Sequence, residues 1–579
     1  MLLESSRSRR SVAARQLIIA SALVAGVLVI AGLLALTGGE PAEKAVAKRF
    51  VAAWERGDYA AMHAELAERD RRAMPVRRFA RAYRRAAATA TATAVAHGEV
   101  PDPRDGALSV PMTVSTRVFG TVRATLALTF SGEGEEKHID WKPALVFPGL
   151  ADGERLTRRT ALPRRADIIA RDGTPLAQGQ ERSSPIDDVA DSIVGELGPP
   201  PPERAERLHE LGYPSGATVG TSGLERVFEE RLAGTPGGLL RAGRRVLAQT
   251  IPRAGGPVRS SIDPPVQRAA VAAKGERVGG VAVVRPKTGE ILALAGIAFS
   301  GLQPPGSTFK IVTLTGVLEA RLAGVESTYP VETRTQIEGV ELENANGEAC
   351  GGTLRYSFAH SCNSVFAPLG ARLGAERLVR TAERFGFNTE VGIAGAATST
   401  IPPASEIGDD LAVASSAIGQ GRVQATALQM AWVAATIAGK GRRPQLTLER
   451  GRTPRRMQVI DVDIARLVGR MMEAVVREGT GTAAQIDGVR VAGKTGTAEL
   501  EDTSAPACVP SPDPAIPTQC PAAAPDDPTD TDAWFAAYAP AKRPRVAVGV
   551  LLVRSGVGGD TAAPVAREAL RAGLDATRP

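Results

Sequence analysis

The sequence predicts a multidomain α+β protein whose folded domains follow one membrane-spanning helix. The chain has 579 residues, more than one hydrophobic core usually covers. Hydrophobic residues make up 43% and charged residues 23% of it, which indicates folded domains and excludes collagen, coiled coils and multi-span transporters. The hydrophobic pattern changes along the chain, from one uncharged apolar run to mixed helical and strand-like sections.

The run from Leu17 to Thr37 contains no charged residue and predicts a single transmembrane helix, because about 20 apolar residues cross the ~30 Å hydrocarbon core. Four cations precede this run: Arg7, Arg9, Arg10 and Arg15. The positive-inside rule therefore predicts a cytoplasmic tail at 1–16 and an extracytoplasmic remainder. A cleaved signal peptide is the alternative, but the apolar run exceeds the usual ~7–15 residues and lacks a clear cleavage site.

Residues 41–156 form the first predicted domain after this helix, a small α+β domain. Apolar residues around Phe50 recur at helical spacing, and the runs 110–114 and 122–130 are strand-like. Because this section contains no cluster of potential catalytic groups, we expect it to have a structural or spacing role.

Residues 157–259 form the second predicted domain, a linker or pedestal. Turn signals interrupt it at Arg171-Asp-Gly and at Pro199–Pro202, around one amphipathic helix near Leu224–Leu232. This pattern is typical of a segment that links two larger domains.

Residues 260–579 form the largest predicted domain, a five-stranded sheet packed with helices. Helices are expected at 265–273 and 564–574, and helical patterns dominate 310–470. The strand-like runs lie at 280–286, 289–295, 489–499, 533–538 and 546–553. A Pro-rich loop at 503–531 separates the third strand from the fourth and is longer than most loops.

The four cysteines predict no metal site. Disulfides are permitted in an extracytoplasmic chain, and Cys508 and Cys520 are close enough in the Pro-rich loop for a bridge. Cys350 and Cys362 are expected to be disulfide-bonded or inert thiols, because the sequence lacks the clustered thiols and imidazoles that zinc needs. We expect neither a metal nor another cofactor.

One short motif offers a nucleophile. Ser307 follows Pro304-Pro-Gly at a predicted helix start, and Lys310 comes three residues later on the same helical face. A serine hydroxyl needs a base to take its proton, and a desolvated amine has the lowered pKa that this task requires. The S-x-x-K pattern alone is weak evidence, because chance readily gives such a pair in a long chain.

Two further motifs follow in order and make the set specific. Ser361-Cys-Asn363 is an S-x-N pattern, and Lys494-Thr-Gly-Thr497 is a K-T-G pattern. This order of three motifs is the one found in penicillin-binding proteins and class A β-lactamases. The ordered trio is far rarer by chance than any one of its parts.

The section from Ser260 to the C-terminus resembles the transpeptidase domain of class B penicillin-binding proteins, whose sheet is five-stranded and antiparallel. Further matching runs are Thr221–Glu225, Ala417–Gly421 and Gly493–Glu499. Residues 165–177 are similar to the start of the family's pedestal region, which implies a dimerisation-type domain. Residues 41–156 resemble the cone-shaped, nuclear-transport-factor-like extension of its methicillin-resistance branch.

The resemblance implies a D,D-transpeptidase that cross-links peptidoglycan through a serine acyl-enzyme and binds penicillin covalently. Ser307 would attack a D-Ala-D-Ala stem peptide while Lys310 takes its proton. Ser361 and Asn363 would relay that proton and hold the peptide amide. Lys494 would supply positive potential to the cleft.

The K-T-G strand would bind the terminal carboxylate of the substrate through Thr495 and Thr497, with Gly496 between them. Backbone N–H groups of Ser307 and Thr497 would form the oxyanion hole, usually the largest single contribution to catalysis. The implied partners are stem peptides, β-lactams, the membrane and a membrane glycan polymerase, because residues 41–156 are too short for a glycosyltransferase. No nucleic-acid partner is expected, since the net charge of +7 is scattered without a basic stripe.

Other functions compete with this one. Gly488–Thr495 fits the P-loop pattern, but its surroundings are strand-like where a phosphate-binding loop leads into a helix. A Ser-His-Asp hydrolase would use His360 beside Ser361, but no G-x-S-x-G elbow or carboxylate orienter is evident.

The closest competitors share the same active site. A membrane-tethered β-lactamase or D,D-carboxypeptidase would use the same serine and lysine, and a penicillin-binding sensor would keep only the fold. The long spacer between the membrane and the site favours cross-linking of the wall over hydrolysis of a diffusible drug. The intact motifs favour an enzyme over a sensor.

Overall fold

The computed structural model of the protein describes residues 40–500 and 530–578. The predicted membrane helix at Leu17–Thr37 lies outside these residues, and so does most of the predicted loop with Cys508 and Cys520. Within the two described ranges, no helix combines the length and the apolar character needed to cross a bilayer.

The helices α1 to α18 run in chain order over Ala42–Glu55, Tyr59–Ala64, Glu68–Ala73, Val76–Ala90, Asp187–Ala190, Pro202–Glu210, Gly223–Val227, Glu229–Leu232, Pro264–Lys274, Lys310–Glu319, Leu354–Ala359, Asn363–Leu373, Ala375–Arg384, Ala404–Ile407, Asp410–Ala417, Ala427–Ala438, Val462–Glu478 and Ala562–Ala576.

The strands β1 to β23 run over Ala92–His97, Ala107–Thr116, Gly120–Ser131, His138–Ile139, Leu156–Ala161, Ile168–Ile169, Pro175–Ala177, Leu197–Gly198, Val219–Gly220, Gly237–Ala242, Arg245–Thr250, Val258–Arg259, Gly279–Val284, Ile291–Gly296, Thr328–Glu332, Arg334–Ile337, Val340–Glu343, Cys350–Thr353, Arg442–Pro444, Arg456–Gln458, Ala492–Glu499, Thr531–Ala539 and Val546–Leu552.

The described chain divides into two compact units. The N-terminal unit contains residues 40–162, 202–215 and 236–253, and the C-terminal unit contains the remaining described residues. Segments of the predicted pedestal, 157–259, therefore fall in both units. The predicted domain boundaries stay a prediction.

The N-terminal unit is built on a four-stranded antiparallel sheet of order β1-β2-β3-β4. Strand β2 alternates buried and exposed side chains, the period-2 pattern of a sheet with one face against a core. Helices α1 and α4 cover that face with Phe50, Trp54 and Tyr83. The Trp54 and Tyr83 rings meet edge to face at 5.0 Å, a favoured aromatic geometry.

The C-terminal unit is built on a five-stranded antiparallel sheet of order β14-β13-β23-β22-β21. All residues of β13 and β23 are buried, because helices α9 and α18 pack on one face and α16 and α17 on the other. Helix α16 is buried all round, as expected for a helix at the centre of a domain. The prediction of a five-stranded antiparallel sheet with helices is confirmed.

Two predicted elements differ in detail. The third predicted strand begins at Ala492 rather than Val489, because Val489 N–H closes a turn onto Ile486 O at 3.0 Å. The predicted amphipathic helix near Leu224–Leu232 is two short helices, α7 and α8, which meet at Phe228, where ψ is 16°.

Candidate active site

The three sequence motifs meet in one cavity of the C-terminal unit. Ser307, Ser361, Asn363, Thr495 and Thr497 line this cavity, which has a volume of about 270 Å³. The motif serines and threonines come from a turn, a loop and strand β21, which are far apart in the sequence. The two motif lysines lie fully buried directly behind the lining residues.

Lys310 is the first residue of helix α10 and points its amine at the S-x-N motif. Its Nζ donates to Ser361 O at 2.7 Å and to Asn363 Oδ1 at 2.6 Å. Ser361 Oγ lies 3.4 Å from the same nitrogen. A neutral amine has two N–H bonds and one lone pair, so the two short bonds leave the lone pair available to accept a proton.

Lys494 approaches Ser361 from the opposite side. Strand β21 carries it, and its Nζ donates to Ser361 Oγ at 2.9 Å and to Thr495 O at 3.1 Å. Ser361 Oγ accepts this bond, so its own proton is available toward Lys310. One hydroxyl therefore lies between two amines, which is the arrangement a proton relay requires.

Burial shifts the pKa of both amines downward. Burial, reinforced by the charge of Lys494, holds the pKa of Lys310 well below its usual range. Burial also lowers the pKa of Lys494 to about 7. No carboxylate within the described ranges pairs with either amine; the rings of Phe366 and Phe358 lie 5.6 Å from Lys310 Nζ and Lys494 Nζ respectively. Burial without a paired carboxylate thus favours the neutral form of both amines.

Ser361 reaches this position through an unusual backbone conformation. Its φ is +64°, in the left-handed region, which costs a non-glycine residue about 1–3 kcal/mol. Its neighbour Cys362 is fully buried and forms a disulfide with Cys350 of strand β18. Cys350 also lines the cavity, so a covalent bond fixes the backbone beside Ser361.

Ser307 lies in a short 3-10 turn, Gly306–Phe309, that leads into helix α10. Its side chain is half-buried, and among the described residues its hydroxyl has no hydrogen-bond partner. Lys310 Nζ bonds Ser361 and Asn363 rather than Ser307 in this structure. Catalytic hydrogen bonds often tighten only when substrate is present.

Glycine at position 306 brings the nucleophile turn against strand β21. Gly306 has a φ of +50°, and a Cβ placed on it would lie 2.7 Å from Thr497 O. Its N–H donates to Gly419 O at 3.0 Å, and a Cβ on Gly419 would lie 2.0 Å from Gly306 O. Because neither Gly306 nor Gly419 has a side chain, the turn that carries Ser307 can pack closely against Thr497 of strand β21.

Two residues of the cavity carry no sequence signal that we recognised. Thr480 follows helix α17, and its Oγ1 lies 2.6 Å from Thr495 Oγ1. Its N–H donates to Ala359 O at 3.1 Å, so it links the K-T-G strand to the helix before Ser361. Cys350 was expected to be disulfide-bonded or inert, and its pairing with Cys362 could not be read from spacing.

The structure contradicts the two alternative motifs. Lys494 lies inside strand β21, and the chain does not enter a helix there, so Gly488–Thr495 cannot cradle a phosphate. His360 stacks on Tyr356 at 4.1 Å, and no carboxylate in the described part of the chain pairs with it. In residues 40–500 and 530–578, no group of His, Cys, Asp and Glu is arranged to hold a metal.

This site has a serine hydroxyl on a turn, two buried amines and two threonine hydroxyls on strand β21, which is the arrangement of a serine acyl-transfer site of the penicillin-recognising class. A family model for the penicillin-binding protein transpeptidase domain matches residues 279–571. Models for an NTF2-like N-terminal transpeptidase domain and for a penicillin-binding protein dimerisation domain match residues 41–154 and 173–241. The chain belongs to the class B penicillin-binding proteins and carries their NTF2-like N-terminal domain.

Relatives agree with this assignment. The peptidoglycan D,D-transpeptidase PbpA of Mycolicibacterium smegmatis is 31% identical over 437 residues, which cover 63% of this chain and 81% of the relative. The PbpA of Mycobacterium tuberculosis H37Rv is 31% identical over 391 residues, which cover 55% of this chain and 73% of the relative.

Solved structures show the same fold. The D,D-transpeptidase domain of a peptidoglycan glycosyltransferase from Eggerthella lenta superposes with a TM-score of 0.56 at 28% identity, covering 72% of this chain and 99% of that one. The ceftriaxone acyl-enzyme of penicillin-binding protein A from M. tuberculosis superposes with a TM-score of 0.54 at 26% identity, covering 71% and 98%.

Proposed function

We infer that the protein is a peptidoglycan D,D-transpeptidase that works through an acyl-enzyme on Ser307 and is acylated by β-lactams. One observation carries the residue assignment: Ser307 lines the same cavity as Ser361, whose main-chain O and Oγ accept bonds from two buried, uncompensated amines. The named activity of the relatives supports the reaction class.

In the acylation step, Ser307 Oγ attacks the carbonyl carbon of the penultimate D-Ala of a stem peptide. Lys310 takes the hydroxyl proton, because burial holds the pKa of its amine well below the usual range and so favours the neutral form. The bond from Ser307 Oγ to carbon forms, the peptide C–N bond breaks, and the leaving D-Ala nitrogen receives a proton through Ser361. Asn363 holds Lys310 in place and keeps its lone pair directed at the cleft.

Charge in this step is stabilised from strand β21. The backbone N–H groups of Ser307 and Thr497 form the oxyanion hole, where each donor contributes about 3 kcal/mol. Thr495 and Thr497 hydroxyls bind the terminal carboxylate of the substrate, with Gly496 allowing the strand to lie flat against Thr308. Lys494 adds positive potential while it is protonated.

An amine from a second stem peptide then attacks the acyl-enzyme and regenerates the serine, which leaves a cross-link. Water in place of that amine would make the protein a carboxypeptidase or a β-lactamase. Incubation of the chain with a labelled stem peptide and an amine acceptor distinguishes these reactions by mass spectrometry. An amide product supports transpeptidation. If the acid is the sole product, the protein hydrolyses its acyl-enzyme and the proposal is wrong.

The nucleophile is tested by intact mass after exposure to penicillin. Ser307→Ala is expected to abolish the covalent adduct, while Ser300→Ala, at an exposed serine seven residues earlier, is expected to keep it. An adduct that persists on Ser307→Ala would remove Ser307 from the mechanism.

We also propose that Leu17–Thr37 anchors the protein in the cell membrane as a single span, with 1–16 in the cytoplasm and the catalytic domain outside. The absence of any charge from that run supports this topology. The 41–156 and 157–259 domains then act as spacer and pedestal, and a membrane glycan polymerase supplies the strands to be cross-linked. External protease digestion of intact spheroplasts is expected to remove the catalytic domain; full protection would contradict the topology.

A further inference from the structure

A second cavity of the C-terminal unit shares no residue with the active-site cavity. Its volume is about 690 Å³, within the range typical of small-molecule sites. Helices α10 and α13 and strands β19 and β20 contribute to its walls. It is lined by Gly316, Glu319, Ala320, Arg377, Arg380, Thr381, Glu383, Arg384, Arg443, Met457 and Val459. We call it the Arg443 cavity.

The lining of the Arg443 cavity carries more positive than negative charge, since four guanidinium groups face two carboxylates. Arg384 is neutralised by Glu319, through a bond from Nη1 to Oε1 of 3.0 Å and a second, shorter contact. Arg380 lies 3.3 Å from Glu376. Within the part of the chain that the structure describes, Arg377 and Arg443 form no ion pair.

Arg443 is held in place despite the lack of a carboxylate. Its guanidinium stacks over the Trp432 ring at 4.8 Å, and its Nη1 donates to Glu383 O at 3.2 Å. Trp432 is itself fixed by a bond from Nε1 to Pro444 O. Gly386 packs against the stack, because a Cβ there would lie 2.6 Å from the Trp432 ring.

Burial lowers the pKa of Arg443, which indicates that the guanidinium is partly desolvated without a carboxylate to pair with its charge. Such a group binds a carboxylate or phosphate with two parallel hydrogen bonds and loses little side-chain freedom in doing so. The remaining lining is apolar at Ala320, Met457 and Val459. An anion with an apolar portion therefore matches both parts of the cavity.

We propose that the Arg443 cavity is a binding site for a small amphiphilic anion, in which Arg443 and Arg377 hold a carboxylate or phosphate and Ala320, Met457 and Val459 contact the apolar portion. Glu319 stays paired with Arg384. Glu383 is exposed and forms no ion pair within the described residues, but the two unpaired guanidinium groups outnumber it. The proposal does not depend on the reaction at Ser307.

Three probes that share a phenyl ring test the proposal by isothermal titration calorimetry on the purified full chain: benzoate, its uncharged analogue of the same shape, benzamide, and phenyl phosphate. Titrations are made before and after acylation by penicillin, which blocks the carboxylate subsite at Thr495 and Thr497. Saturable one-to-one binding of benzoate or phenyl phosphate that survives acylation is expected, with benzamide at least tenfold weaker. The preferred head group identifies the ligand as carboxylate or phosphate.

Arg443→Gln and Arg377→Gln are each expected to weaken binding of the preferred anion at least tenfold. Arg466→Gln, at an exposed arginine of helix α17, is the matched control and is expected to leave binding unchanged. Arg377 is exposed, so its variant tests the site even if the Arg443 variant folds poorly. Binding of neither anion, or binding unaffected by the Arg377 change, would overturn the proposal. Failure of penicillin acylation, read by intact mass, would instead contradict the function proposed for Ser307.

Discussion

Two groups of buried charges in the C-terminal unit differ in whether carboxylates accompany the cations. Beside the cleft, Lys310 and Lys494 are fully buried without a carboxylate. Near helices α7 and α8, Arg165 bonds Glu225 at 2.6 Å and Glu229 at 2.7 Å.

The two groups have opposite pKa shifts. Burial opposes the charge of Arg165, but the bond to Glu229 and the charges of both glutamates outweigh it, so its pKa is raised. Burial is unopposed at Lys310, so its pKa is lowered. Breaking a compensated buried ion pair destabilises the fold, whereas an uncompensated buried amine has a lowered pKa and becomes useful for proton transfer.

The largest expected effect comes from making the uncompensated cation permanent. Arginine stays protonated at all accessible pH values, so Lys310→Arg is expected to lower the second-order rate of penicillin acylation about 10³-fold, the usual contribution of a general base. Lys494→Arg, which keeps the cation that the cleft needs, is the matched control and is expected to cost far less. Stopped-flow labelling with a fluorescent penicillin measures both. A rate within tenfold of wild type for Lys310→Arg would show that Lys310 is not the base.

Removing the compensation from the other group is expected to affect stability and not catalysis. Glu225 also bonds Arg182 at 2.7 Å, so Glu225→Gln leaves two guanidinium groups without their shared carboxylate and should cost about 3 kcal/mol of unfolding free energy. Urea unfolding measures this loss. The acylation rate of the folded variant should stay within twofold of wild type. A large fall in rate with unchanged stability would show that Glu225 serves catalysis and not the stability of the fold.

The disulfide beside Ser361 has an intermediate expected effect. Replacing both cysteines, as Cys350→Ser with Cys362→Ser, frees the backbone that places Ser361 between the two amines. We expect the acylation rate to fall about tenfold, a loss of roughly 1.4 kcal/mol in transition-state stabilisation. A phosphine reductant should lower the acylation rate of wild type by the same factor and should leave the rate of the double variant unchanged. Equal rates before and after reduction of wild type would show that the bond does not position Ser361.

The last expected effect is a pH dependence of stability, spread over several pH units. The pKa of Lys494 is about 7 in the folded chain against 10.5 ordinarily, so between these values the unfolded chain binds the extra proton. The free energy of unfolding should therefore rise with pH across this window, by at most about 1.4 kcal/mol per pH unit. Lys494→Met should reduce the rise in urea unfolding from pH 7 to 9 to the part that Lys310 contributes. An identical slope in the variant would mean that Lys494 keeps its charge when buried.

Much of this fold could be predicted because its signals are local. Strands β13 and β23 are short runs of Val, Ala and Leu, and each is followed by turn residues. The order of the sheet could not be predicted. Strand β13 pairs on one side with β14, the next strand in the chain, and on the other side with β23, which is more than 250 residues downstream of β13. Strand pairing over such separations depends on which faces of the sheet and helices pack together, and the sequence of a single strand does not indicate its partner.

In the candidate site, too, residues in local motifs could be predicted and residues brought in by packing could not. Ser307, Lys310 and the other motif residues were found because their spacing is rigid within one turn or strand. Thr480 was missed, because it enters the cavity only through the packing of α17 against β21. Cys350 was also missed as a partner of Cys362, since which cysteines pair depends on the path of the chain between them.

The contact between Gly306 and the carbonyl of Thr497 restricts how this protein can escape β-lactams. Any side chain at position 306 would push strand β21 away from the nucleophile, and natural substrate and drug alike need both surfaces at their present separation. A substitution at position 306 that weakens drug binding is therefore expected to weaken cross-linking as well.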